Sequence, residues 1–472
     1  MDHDIDVLRA TAADLAALLN DGKTTSVEIV EAYLQQIAKH NHAGPKLHAI
    51  VSVPAIHQLH RVAKALDDER TRGHVRGPLH GVPIIVKAST DIPGCVQYAD
   101  AEHADDIRSF AFAESKARVN AGLVDVLITQ GLIALGKANL TAPGGSSTGS
   151  AVGVAAGFSP ISLGTETSGS LTTPASRAAL YALKLTPGSV CMDGVWQVAA
   201  SFDSAGGMAK SVLDLALLST VLLQQKDPGR PSLVDAMQED WKGISVGFVD
   251  IELWRLPDDG HGHAREYQDA IDQLRESGAN VVHLVCITPP EQWRVEGGTR
   301  DVDDLMRSQT RAGYEFYLRS FEDPKVRSLQ DTIAFNAANP ETEFDEVFCP
   351  NQNGLLKAQD MSMSDEETQK NLQICKQWAA TEGVDKVVAE HGVDAIVAPC
   401  DSFFAGVGVG ARYPLASIPF GYVESSGRPC GLHVIAKANE EDKIVRFMSV
   451  WERMRPPRTV SDLDSLARAL RA

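Results

Sequence analysis

Residues 144–176 read GGSSTGSAVGVAAGFSPISLGTETSGSLTTPAS. Gly144 to Ser150 are small residues entering a small-residue helix, a turn in which backbone N–H groups and a hydroxyl can approach another group closely. The strand-like run PISLG then leads into a second turn, Gly164 to Ser170, which presents a serine hydroxyl beside several free N–H groups. Upstream, residues 79–89 read LHGVPIIVKAS, so Lys87 ends an apolar strand. Loss of water there disfavours the ammonium form and makes the amine a base near neutral pH. Taken singly, each feature has a plain structural explanation: Gly/Ser-rich turns usually only turn or cap, and a strand-end lysine usually faces solvent.

Working outward, residues 25–40 (TSVEIVEAYLQQIAKH) place Val30, Tyr33, Leu34 and Ile37 on one helical face, and Thr25 with Glu28 forms a capping-box pattern. Strand-like runs are predicted at 47–53, 82–86, 132–136, 160–166, 243–249, 280–287 and 395–399, with helical patterns between many of them, as at 263–277 and 366–391. This alternation predicts an α/β sheet covered by helices. Residues 288–365, rich in Asp, Glu, Asn and Pro, read as a solvated surface rather than an insertion covering a pocket. No clear linker appears, so one domain is expected.

The chain has 472 residues, 44% of them hydrophobic, enough to bury a large core. With 62 acidic residues against 44 basic ones the net charge is −18, which argues against a nucleic-acid partner. The seven cysteines are widely spaced, with no CxxC or Cys/His cluster, so no metal site is expected. Reduced thiols, an N-terminus MDHDIDVLRA without an apolar core and the lack of a membrane-length apolar stretch suggest a cytoplasmic protein with no membrane span.

The three motifs together resemble the amidase signature family, in the Ser-cisSer-Lys arrangement. The resemblance runs nearly the whole chain: DGKTTSVEIVEAYLQQI, LHGVPIIVKAS, GLIALGKANL, the Gly/Ser block, SFDSAGGMAKSVLDLALL, DAIVAP, YPLASIPFGY and GRPCGLHVIAK occur in the family's order. It implies a single α/β/α domain around a large mixed β-sheet, spanning 1–472, with 80–215 as the catalytic signature core. By position, Lys87 matches the base, Ser146 the bridging serine held by a cis peptide (most simply Gly145–Ser146), and Ser170 the nucleophile. The amides of Thr167, Ser168, Gly169 and Ser170 match the oxyanion hole. The implied activity is hydrolysis of a small-molecule amide through an acyl-enzyme, with no cofactor and no metal. Family members are often dimers, so a homodimer is a further expectation.

Four features depart from the commonest pattern. Ala88 follows the lysine where Asp is usual, and Glu166 and Ser168 replace Asp and Gly in the nucleophile turn, a GTET spelling that resembles a fungal-looking subgroup. Thr172 stands where Arg is usual, and only Thr141, Ala142 and Pro143 join GKANL to GGSS. The residues also admit rival readings. GSSTG at 145–149 fits G-x-S-x-G, with Ser147 as nucleophile and Asp394 and His433 as partners in an α/β-hydrolase. That reading leaves Lys87 and the second turn unexplained. The same acyl-enzyme could serve an acyltransferase or cyclase, the scaffold could be a non-catalytic binder, and a component of a tRNA amidotransferase is disfavoured by the acidity.

Overall fold

The computed structural model describes residues 5–92, 110–112, 115–140, 145–254, 261–293, 302–346 and 350–470. In chain order the strands are β1 Ile50–Ser52, β2 Pro83–Lys87, β3 Lys116–Ala117, β4 Ile133–Ala138, β5 Ile161–Glu166, β6 Tyr181–Lys184 and β7 Ser204–Ala209. They continue as β8 Ser245–Val249, β9 Asn280–Val285, β10 Phe321–Glu322, β11 Ala395–Pro399, β12 Leu415–Tyr422 and β13 Pro429–Ile435. Eleven of them form one sheet in the order β1-β4-β2-β5-β7-β6-β12-β13-β11-β8-β9, while β10 pairs with β3. The sheet is mixed: β2 runs parallel to β4 and β5, β11 and β9 run parallel to β8, and the strands from β5 through β7, β6, β12 and β13 to β11 pair antiparallel.

The sheet is covered on both faces, and alternation of side chains shows it. In β11, Ala395 and Val397 join the largest apolar cluster, whereas Ile396 and Ala398 join a second one. In β6, Tyr181 and Leu183 join the largest cluster and Ala182 a third. Helices Ala12–Asn20, Ser26–His40, Val212–Gln224 and Glu441–Met454 contribute to the largest cluster. In Ser26–His40, Val30, Tyr33 and Ile37 are buried as the periodicity requires, with Leu34 packed at the edge. The Thr25–Glu28 capping box is formed in both directions.

One expectation is overturned. Residues 302–346 and 350–360 are not a solvated surface but helices, Val302–Leu318, Leu329–Ala338, Pro340–Glu343 and Asn353–Asp360. They enclose their own apolar cluster of Tyr314, Tyr317, Leu318, Phe321, Leu329 and Ala358. Their outer faces are as polar as the composition suggests. Their inner faces close over the ends of β2 and β5, where the functional residues lie.

Candidate active site

Lys87 is the last residue of β2, one residue past the Val86–Leu163 pair of the β2–β5 ladder. Its Nζ donates to the Thr165 carbonyl at 3.1 Å and lies 2.8 Å from Ser146 Oγ. The side chain is 3% exposed. Burial pushes its pKa down to about 7, against Asp203 and Glu166, which favour the charged form. At neutral pH a substantial share of Lys87 is therefore an uncharged amine, able to accept the Ser146 proton.

Ser146 and Ser170 belong to two turns stitched together by the backbone. Ser147 N–H donates to Ser170 O at 2.9 Å, and Ser147 Oγ donates to Thr165 O at 3.2 Å. Ser146 and Ser170 line the same two cavities, although no hydrogen bond joins their side chains. The expected cis bond at Gly145–Ser146 is absent, since the described peptide bonds are all trans. Gly145 makes the turn instead through a φ of 100°, open to glycine and disfavoured for other residues. A Cβ there would stand 2.8 Å from Pro174 Cδ. The joining segment 141–143 lies outside the described residues.

Gly169 has a φ of 75°, which turns the chain between β5 and the short helix Thr172–Ser176. Among the described residues, no group of the chain accepts from the amides of Ser168, Gly169 or Ser170. Three N–H groups thus remain available at this turn. Thr167, Ser168 and Ser170 all line the larger cavity.

Two of the departures from the common motif, Glu166 and Thr172, form one network. Buried Glu166 accepts through Oε2 from Leu171 N at 2.9 Å, Thr172 N at 2.8 Å and Thr172 Oγ1 at 2.9 Å. It holds the first turn of the following helix. Thr172 Oγ1 also lies 3.1 Å from His433 Nε2. With the Thr172 proton given to Glu166, His433 donates through Nε2. Burial pushes the His433 pKa down to about 4, so the ring is neutral. Ala88 is fully buried against Val51, where a carboxylate would have no room for water. The Ser168 side chain is exposed, so its hydroxyl does not constrain the turn.

The α/β-hydrolase alternative fails on geometry. Ser147 is fully buried and spends its hydroxyl on Thr165 O. His433 reaches Thr172, not Ser147. Asp394 accepts from Ser245 N and pairs with Arg446.

Several residues around the serines had no signal of their own in the sequence. Asp203, within SFDSAGG, is buried and accepts through Oδ2 from Val198 N at 2.6 Å and Ala199 N at 3.3 Å. Burial raises its pKa, while Thr167, Lys184 and those amides oppose the rise. Lys184, also buried, donates to Thr167 O at 2.9 Å, and burial lowers its pKa. On the other side of the serines lies a cavity of about 650 Å³. Phe112, Trp196, Met306, Tyr314, Tyr317 and Leu355 are among its walls. Among the described residues no group of three His, Cys, Asp or Glu side chains is placed to hold a metal ion, and no helix is long and apolar enough to cross a membrane.

A mixed sheet of this topology, with paired Gly/Ser turns beside a buried lysine, is the architecture of a class of amidases, as comparison with known proteins shows. The amidase family profile matches residues 28–142 and 141–406, and the chain belongs to that family, hydrolases that act on carbon–nitrogen bonds. It is 28% identical to a probable amidase of Arabidopsis thaliana, over 96% of this chain and 92% of that one. It is 27% identical to a subunit of the glutamyl-tRNA(Gln) amidotransferase of Mycobacteroides abscessus, over 95% and 98% of the two chains. Among solved structures, the native peptide amidase of Stenotrophomonas maltophilia superposes with a TM-score of 0.81 at 28% identity, covering 96% of this chain and 99% of that one.

Proposed function

We propose that this amidase hydrolyses a carboxylic amide through an acyl-enzyme on Ser170, with Ser146 as proton relay and Lys87 as base. The observation that carries the reading is the 2.8 Å contact between Ser146 Oγ and a buried Lys87 whose pKa lies near 7, in a cavity that Ser170 also lines. Neutral Lys87 takes the Ser146 proton, Ser146 takes that of Ser170, and the Ser170 oxygen attacks the carbonyl carbon. The oxyanion is stabilised by the amides of Ser168, Gly169 and Ser170, with Thr167 beside them. When the C–N bond breaks, the proton returns through Ser146 to the departing nitrogen. Water then attacks the ester by the same route, releasing the acid. Each proton has a carrier within the chain.

The larger cavity supports an acyl group of aromatic or short peptide size, since its walls combine the rings of Phe112, Trp196, Tyr314 and Tyr317 with polar groups such as Arg307, Asn336 and Gln352. The peptide amidase likeness supports the same substrate class. A fluorophosphonate probe should label Ser170, and Ser170→Ala should abolish turnover of N-acyl amino-acid amides while leaving the thermal melting curve in place. Labelling elsewhere, or turnover by the alanine variant, would overturn the reading.

A further inference from the structure

The serine pair faces a second, smaller space besides the acyl cavity. It measures about 290 Å³, and Lys87, Ser89, Leu140, Thr165, Asp203 and Val198 are among its walls. Three buried polar atoms around it have no hydrogen bond of acceptable geometry: Asp203 Oδ1, Ser89 Oγ and Trp196 Nε1. The Thr167 side chain interacts with the Asp203 carboxylate, and Oδ2 is held by two amides, yet Oδ1 has no hydrogen-bond partner in a residue that lines the cavity. Asp203 is 5% exposed and Ser89 3% exposed. Buried polar atoms of this kind are normally paired, so an unpaired acceptor, a hydroxyl and an indole donor around one space describe a polar guest.

The position of Lys87 says which guest. The proton taken from Ser170 passes to Ser146 and Lys87 and must return to the departing nitrogen, so that nitrogen has to face the Lys87 side of the serines. We propose that this smaller cavity is the leaving-amine site and that Asp203 is its specificity residue, accepting an N–H of the departing nitrogen. The ligand class is ammonia or a small primary amine, bounded by the cavity volume. As the tetrahedral adduct collapses, the C–N electron pair goes to nitrogen, which takes the Ser146 proton, and Asp203 Oδ1 accepts a hydrogen bond from one of the N–H groups that the nitrogen keeps. An ester offers no such hydrogen, because its leaving oxygen carries only the proton it receives. Asp203 therefore favours amides over esters of the same acid.

The inference rests on Ser170 carrying the acyl group. The test uses the full-length protein on N-acyl amino-acid amides and the matching methyl esters. In Asp203→Asn the backbone amides keep an oxygen acceptor, and the ratio of amide to ester kcat/KM should fall about 100-fold. A second variant, Ser89→Leu, fills the cavity and should raise the preference for a primary amide over the N-butylamide at least tenfold. An unchanged amide-to-ester ratio in a folded Asp203→Asn overturns the inference. Should that variant not fold, an unchanged ratio in Ser89→Leu overturns it alone. Ser170→Ala separates the two readings: retained turnover there sinks the acyl-enzyme and the inference with it. A silent Ser170→Ala beside unchanged ratios sinks the inference only.

Discussion

Lys87 is held at the end of an apolar strand, 3% exposed, with the hydroxyl of Ser146 at 2.8 Å. A lysine whose pKa is lowered to about 7 is protonated below that pH and neutral above it, so the base form accumulates as pH rises through 7. The acylation rate should climb across pH 6–8 and then level, with a midpoint that belongs to the coupled Lys–Ser–Ser unit. Lys87→Ala should slow fluorophosphonate labelling of Ser170 by roughly three orders of magnitude, by analogy with other triad bases, and flatten the profile. A lysine that served only as a packed strand end would leave both rate and profile intact. That Lys87, Ser146 and Ser170 come together around one cavity was legible in the sequence through the family resemblance of their three motifs, not through any motif alone. Asp203 was not, because its meaning depends on which strand ends meet it. The bond before Ser146 was misread for a related reason: a positive φ at Gly145 shapes the turn with the described peptides all trans.

The nucleophile turn is built from an element pair, β5 and the helix Thr172–Ser176, clamped by Glu166. A five-residue helix has little stability of its own, so its first-turn amides depend on that carboxylate. Thr172→Val keeps the shape of the side chain but takes the hydroxyl from Glu166 and His433, both buried. It should cost about 1–3 kcal/mol of stability and reduce Ser170 labelling, because the turn loses its anchor two residues past the nucleophile. Thr172→Ser should restore both. A valine variant with wild-type melting and labelling would show that the backbone alone holds the turn. Strand legibility followed the same physics. β2 and β11 are mainly apolar runs and β5 mixes apolar residues with Ser162, Thr165 and Glu166, all buried, and the predicted limits of the three fall within one residue of those observed. β7 reads SAGGMA, with no branched side chain to mark it. It is a strand because its glycines let β6 approach closely, a Cβ on Gly206 striking the Leu183 carbonyl. β12 and β13 contain Pro419 and Pro429, which disguise strands in a sequence read alone.

At the scale of the whole molecule, the sheet carries the proposed catalytic groups, and the helices between Val302 and Asp360 line the proposed acyl cavity beside them. The polarity of 288–365 concealed this, because a helix with a charged outer face and an aromatic inner face has the composition of a surface segment. Only its partners reveal the inner face. Tyr314 illustrates the point: it is 4% exposed, its hydroxyl lies 2.8 Å from Thr332 Oγ1, and its ring meets Trp196 edge-on at 5.7 Å between centroids. Through Trp196, which lines both cavities, the helical wall touches the serine pair without supplying a proton carrier. Changing the wall should alter which acyl groups fit rather than how the bond is cut. Tyr314→Leu removes the hydrogen bond and ring contact while keeping an apolar filler of smaller volume. It should raise kcat/KM for bulky acyl groups relative to small ones by about tenfold, a change of roughly 1.4 kcal/mol in relative transition-state binding. The pH midpoint set by Lys87 should stay where it was. A uniform loss across all acyl sizes, or a displaced midpoint, would mean that the helices act on the catalytic groups themselves.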